Sequence, residues 1–131
     1  MTTVLLYDRD CGACKCVIAW LVRRAAAGTL EARAIQGDAG RLLADLAEPQ
    51  RLASWHSVEP DGRRRSGARV VTTPAVRDAL PGGALLAAAV TAFPRLSEAV
   101  YRFVARHRGW WGRVFSDARR AAADAELDRL G

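Results

Sequence analysis

An α/β fold is expected from three features of the sequence: a buried-strand pattern at residues 3–7, an amphipathic helix pattern directly after it at 13–27, and a second strand pattern at 30–35. Strand, helix and strand in that order imply a parallel pair joined by a right-handed crossover. Thr3-Val4-Leu5-Leu6-Tyr7 is β-branched and apolar, and it ends at the polar turn Asp8-Arg9-Asp10. In the helix, Val17, Trp20, Leu21 and Arg24 share one side, with Cys14 and Ile18 nearby. Arg23 and Arg24 fall in its last turn, where cations suit the helix dipole, and Gly28 is the expected stop. Residues 30–35 alternate apolar and polar, as a strand with one covered face does.

Asp38 then opens a short helix, roughly 39–47, ended by Pro49. Residues 55–59 read as a third strand, Pro60-Asp61-Gly62 as a turn, and residues 63–66 as the hairpin return. Residues 69–80 are assigned to a helix, although Val70-Val71-Thr72-Thr73 favours strands and Pro74 interrupts. Pro81-Gly82-Gly83 is a break, residues 84–92 form a buried helix, and Pro94 occupies the first turn of the next. In that helix Leu96, Val100, Phe103, Val104 and His107 fall on one face, which places His107 in the core; Arg95, Arg102 and Arg106 fall on another. A last helix covers roughly 116–130. No repeat or long linker divides the chain. A single domain over residues 1–131 is therefore expected, with a core at about 3–80 and a C-terminal helical extension at about 84–130.

Composition narrows the classes further. Half of the 131 residues are hydrophobic, which excludes a disordered chain. No apolar run approaches the roughly 18–20 residues of a membrane span, and the opening residues lack a basic and apolar leader, so a cytoplasmic protein is expected. The net charge is +6, and Lys15 is the one lysine among 20 basic residues, an arginine bias that accounts for much of the basicity. Arg63-Arg64-Arg65 has no interleaved aromatics, so it reads as a charged edge strand and no nucleic-acid partner is expected. Trp110 and Trp111, with Phe115 among arginines, suit either a peripheral membrane or protein contact or a fold-back over the core. A monomer is expected.

The chemistry concentrates in one phrase. All three cysteines lie between Cys11 and Cys16, and nothing elsewhere can pair with them to staple the fold, which favours redox or metal chemistry. Cys11-Gly12-Ala13-Cys14 sits between a strand and a helix. Two intervening residues let both sulfurs meet on one turn. The first sulfur falls at a helix N-terminus, where unpaired amides favour the nucleophilic thiolate. Cys14, one turn further in and better covered, suits the resolving role. Gly12 leaves room for a bulky substrate beside Ala13. Arg9 and Lys15 can add positive charge. Asp8 has two readings: acceptor of the Cys14 proton, or a turn and capping acceptor. Asp10 reads as the N-cap. Cys16 is a helix residue without a role, unless the three cysteines and His56 hold zinc; no second CxxC supports that, and no metal or cofactor is expected. His56 and Tyr101 read as packing residues. A CxxC in this βαβ setting points to a thioredoxin-like βαβ–ββα core, a mixed four-stranded sheet with additional C-terminal helices.

Tyr7-Asp8-x-x-Cys11-x-x-Cys14 resembles the YDGxCxxC signature of the DCC thiol–disulfide oxidoreductase family. Trp55-His56-Ser57-Val58, Asp61-Gly62 and Ser66-Gly67-Ala68 resemble its central hairpin. Leu80-Pro81-Gly82, Phe93-Pro94 and residues 101–108 resemble its later breaks and C-terminal helix. The resemblance covers roughly residues 4–108. It implies a thioredoxin-like fold and disulfide exchange with a protein or small thiol, with Cys11 and Cys14 as the redox pair and Asp8 as the signature aspartate. The sequence departs from the pattern at two places. Arg9 stands at the signature glycine, where a left-handed turn would strain it. At Ser54-Trp55 no proline stands where thioredoxins carry a cis-proline, which leaves Trp55 either as an aromatic wall for substrate or as a core residue of the third strand. Arg9, Gly12, Ala13, Ser54 and Trp55 are thus the candidate substrate contacts. The rival reading is a non-enzymatic thioredoxin-like module that binds a partner protein or zinc.

Overall fold

The computed structural model describes residues 2–107 together with Ala122, Ala123, Ala125 and Leu127. Strand β1 (Thr3–Tyr7) leads through α1 (Gly12–Arg24) to β2 (Leu30–Ala34), and β1 and β2 pair in parallel from Thr3↔Leu30 to Tyr7↔Ala34. A 3-10 turn (Asp38–Leu43) and α2 (Glu48–Leu52) follow. Strand β3 (His56–Val58) lies antiparallel to β1, and β4 (Arg64–Ser66) lies antiparallel to β3. The sheet is mixed and four-stranded, in the order β2-β1-β3-β4. A second 3-10 turn (Gly67–Thr72), α3 (Pro74–Ala79), α4 (Gly83–Ala92) and α5 (Pro94–Arg106) complete the continuous part of the chain.

Strand β1 is internal and buries both faces, which is why it carries no charge. Its odd residues Leu5 and Tyr7 join Ile18, Ala19 and Leu21 of α1 in the main core. Its even residue Leu6 joins Ile35 and Leu43 in a smaller cluster on the opposite face. Ala123 and Leu127 are buried in the main cluster, so residues distant in sequence complete it.

The strand assignments stand, with ends shifted by a residue or two. The helical segments between and after them needed correction. Pro49 does not end a helix: it lies in the first turn of α2, where its missing N–H costs nothing. The segment expected as one helix over 69–80 is a 3-10 turn and then α3, with Pro74 starting the second piece. Helix α4 is not buried all round; Gly83, Ala87 and Val90 face inward while Leu85 and Leu86 are exposed. Helix α5 turns at 113° to α4, and none of its residues is fully buried. The face it turns inward is Glu98, Tyr101 and Ala105, not the apolar stripe; Leu96, Val100 and Phe103 stay more than half exposed. Polar tethers set this orientation: the Ala68 N–H donates to Glu98 Oε2 at 3.2 Å, and the Trp55 N–H donates to the Tyr101 hydroxyl at 3.1 Å. His107 is therefore not a core residue: it is exposed, stacked beside Phe103 with its Nδ1 2.8 Å from the Phe103 carbonyl. Trp110, Trp111 and Phe115 lie outside the described residues.

Edge strand β4 is charged as expected, and its arginines are paired. Arg64 grips both carboxylate oxygens of Asp45, at 2.6 and 2.7 Å, and Arg65 pairs with Glu59. The Arg64 bonds lower the Asp45 pKa to about 2. Among the described residues no single helix is long and apolar enough to cross a membrane.

Candidate functional site

Parallel pairing brings the C-terminal ends of β1 and β2 together, and the loop after β1 is anchored from the end of β2. The Ile35 N–H donates to the Tyr7 carbonyl at 2.9 Å. The next residue, Gln36, clamps the loop from both ends of its amide: its Nε2 donates to Asp8 Oδ1 at 2.7 Å, and its Oε1 accepts the Arg9 N–H at 3.0 Å. Asp8 Oδ1 also accepts the Asp10 N–H at 2.9 Å. Asp8 thus caps its own turn. Arg9 is exposed, and no residue other than glycine has a positive φ among the described residues, so the strain anticipated at Arg9 does not arise.

The turn delivers Cys11 to the start of α1. Cys11, not Asp10, is the N-cap: it has extended backbone angles, and its Sγ accepts the Cys14 N–H at 3.3 Å. One of the helix's orphan amides therefore points at sulfur, a contact that favours the anionic thiolate. Gly12 and Ala13 form the first turn behind it. The expected order of exposure is reversed. Cys11 is buried, with 9 % of its surface accessible, whereas Cys14 is half-buried. Folding the sulfur back over the first turn covers Cys11, while Cys14 opens onto a cavity. Cys16 is buried in the main core.

That cavity, of about 240 Å³, is lined from α1 by Cys14, Val17 and Ile18. Tyr101, Val104 and Ala105 of α5 form a second wall. Tyr7 and Asp8 at the end of β1, with Ser54 and Trp55 ahead of β3, form a third side. Trp55 belongs to no strand. Its ring packs on the main core and its Nε1 donates to the Gly67 carbonyl at 2.9 Å, so one side chain is both wall and core contact. Asp8, Cys14, Ser54 and Trp55 are brought to one cavity; Arg9 is not among its walls.

His56 lies elsewhere, buried on β3 opposite Leu6. Its Nε2 is 2.9 Å from the Arg51 carbonyl, which can only accept, so Nε2 carries the proton and Nδ1 accepts from the Ser66 hydroxyl at 2.6 Å. Burial lowers its pKa below the usual 6.5. Both ring nitrogens serve the hairpin. No group of three or more His, Cys, Asp or Glu poised for a metal occurs among the described residues.

Sequence reasoning missed Gln36 and the α5 wall. Gln36 was open to inference, because a parallel β1–β2 pair sets the residues after β2 beside the loop after β1. The α5 wall carried a weaker signal, since of the apolar stripe only Val104 lines the cavity, beside Tyr101 and Ala105.

A mixed sheet entered by a strand–helix–strand crossover, with a cysteine pair at the first helix's start, defines a thioredoxin-like protein of the thiol–disulfide class. A family model for DCC1-like thiol-disulfide oxidoreductases matches residues 5–114. The chain belongs to that family, which supports a general thiol–disulfide redox role. No curated protein and no solved structure matches it.

Proposed function

We propose that Cys11 and Cys14 form a redox dithiol that exchanges disulfides with a protein or low-molecular-weight thiol. The observation that carries this reading is the Cys14 N–H donated to Cys11 Sγ at the start of α1, within a chain of a thiol–disulfide oxidoreductase family. The Cys11 thiolate attacks one sulfur of the substrate disulfide, forms a mixed disulfide and expels the other sulfur as a thiolate. Cys14 gives up its proton and attacks the Cys11 sulfur. The Cys11–Cys14 disulfide forms, and the second substrate thiolate leaves. The substrate gains two electrons and the dithiol loses two; one external dithiol, or two monothiols that leave joined as a disulfide, restore it. Asp8 faces the same cavity as Cys14 and is the candidate acceptor of the Cys14 proton.

The greater exposure of Cys14 favours a second order of events, in which Cys14 meets the substrate and Cys11 resolves. One experiment separates the two. Turnover of a model disulfide is compared for wild type, Cys11→Ser and Cys14→Ser, and mixed disulfides are identified by mass spectrometry. The primary reading expects no turnover from Cys11→Ser and an accumulating mixed disulfide on Cys11 in Cys14→Ser. Trapping on Cys14 in the Cys11→Ser protein reverses the roles. Equal turnover in all three proteins would overturn both orders.

A further inference from the structure

We infer that the cavity beside Cys14 selects the substrate, accepting a protein or peptide disulfide whose cysteine is flanked by one aromatic or branched aliphatic side chain and disfavouring glutathione disulfide. This inference rests on the exchange reading above. Cys14 sits in the cavity wall and its N–H donates to Cys11 Sγ at 3.3 Å, so in either order of attack the side chain beside the substrate sulfur borders this space. The space is about 240 Å³, which fits one large side chain and falls below the roughly 300 Å³ at which pockets for drug-sized ligands begin.

The chemistry of the walls sets the preference. Val17, Ile18, Val104 and the rings of Trp55 and Tyr101 present apolar surface. Covering it with an apolar side chain releases water from both partners. Among the described residues Asp8 is the one charged residue in the lining, and no arginine, lysine or histidine lines the cavity. An entering carboxylate therefore gives up water against a largely apolar wall whose described residues offer it no cation. Each half of glutathione disulfide carries two carboxylates.

The test uses the full chain and short blocked peptides carrying Cys in disulfide with a small neutral thiol, with Phe, Leu, Ser or Asp beside the cysteine, and glutathione disulfide alongside. The expected kcat/KM for the Phe and Leu peptides exceeds that for the Asp peptide and glutathione disulfide by roughly tenfold to a hundredfold. Val104 is 41 % exposed, so Val104→Arg is tolerated by the fold; it is expected to narrow or invert the Phe-over-Asp preference. Equal rates across the panel, or a preference for Asp or glutathione, would overturn the assignment.

A second readout needs no turnover. The Phe peptide as its S-methyl thioether is titrated into the protein while the Trp55 indole N–H resonance is followed, with the Asp thioether for comparison. The Phe form is expected to shift it and the Asp form to leave it in place. If no disulfide is reduced but the Phe thioether shifts Trp55, the exchange reading fails and the cavity assignment stands. Reduction without side-chain preference and without a shift leaves exchange standing and removes the cavity assignment. No reduction and no shift removes both.

Discussion

At the residue scale, two hydrogen-bonded side chains, Asp8 beside the cavity and His56 on β3, each have a checkable consequence. Asp8 is held by two N–H donors, one from its own turn and one from Gln36, and it borders the cavity that Cys14 enters. If Asp8 takes the Cys14 proton, Asp8→Asn slows resolution and leaves the first attack intact. The mixed disulfide on Cys11 then persists roughly a hundredfold longer or more in rapid-quench experiments, the scale of a lost general base. His56 governs stability. Its folded pKa lies below 6.5 because burial penalises the charged ring. The unfolded chain therefore binds a proton near pH 6.5 that the folded chain refuses. The stability contribution is complete above about pH 6.5 and is lost as pH falls toward the folded pKa, with a limiting slope of about 1.4 kcal/mol per pH unit. Denaturant unfolding at pH 7.5, 6 and 5 should show this slope in wild type, and it should shrink in His56→Phe. An unchanged slope in the variant would assign it to other groups.

At the element scale, chain breakers are used as joints. Pro49, Pro74 and Pro94 each occupy the first turn of a helix, where they start a new direction instead of ending one. The tightest joint lies between α3 and α4. A Cβ added at Gly83 would sit 1.9 Å from the Arg77 carbonyl oxygen, which is backbone and has nowhere to go. Gly83→Ala should therefore force the α3–α4 junction open and destabilise the protein by roughly 2–3 kcal/mol, read from the denaturation midpoint. The strand at the sheet edge solves a different problem. Arg64 and Arg65 on β4 discourage edge-to-edge pairing, and their carboxylate partners come from the 3-10 turn–α2 connection and from the hairpin itself. Since the Asp45 pKa is lowered to about 2, this pairing persists through mild acid and weakens only as pH falls below the ordinary aspartate value.

At the scale of the whole molecule, one face of β1, the inner side of α1 and two residues near the C-terminus share a single apolar cluster. Leu127 is 2 % exposed within it. Leu127→Ala should cost about 2–5 kcal/mol and lower the midpoint of one cooperative unfolding transition. A variant that melts in two steps would instead mean that the N-terminal sheet and the C-terminal helical extension fold as separate units.

Local pattern alone specified the four strands, their order along the chain, the cysteine pair at the start of a helix and the charged hairpin edge. These are short-range matters: a strand buried on both faces must be apolar throughout, a parallel pair needs a crossover, and a helix must begin somewhere with unpaired amides. Which cysteine is covered, which face of α5 turns inward, and that Gln36 and α5 complete the site were decided only by tertiary structure. Those outcomes depend on competition between contacts far apart in sequence. Glu98 and Tyr101 hold α5 by hydrogen bonds to Ala68 and Trp55, and with these bonds in place only Val104 of the apolar stripe joins the wall of the cavity beside Cys14.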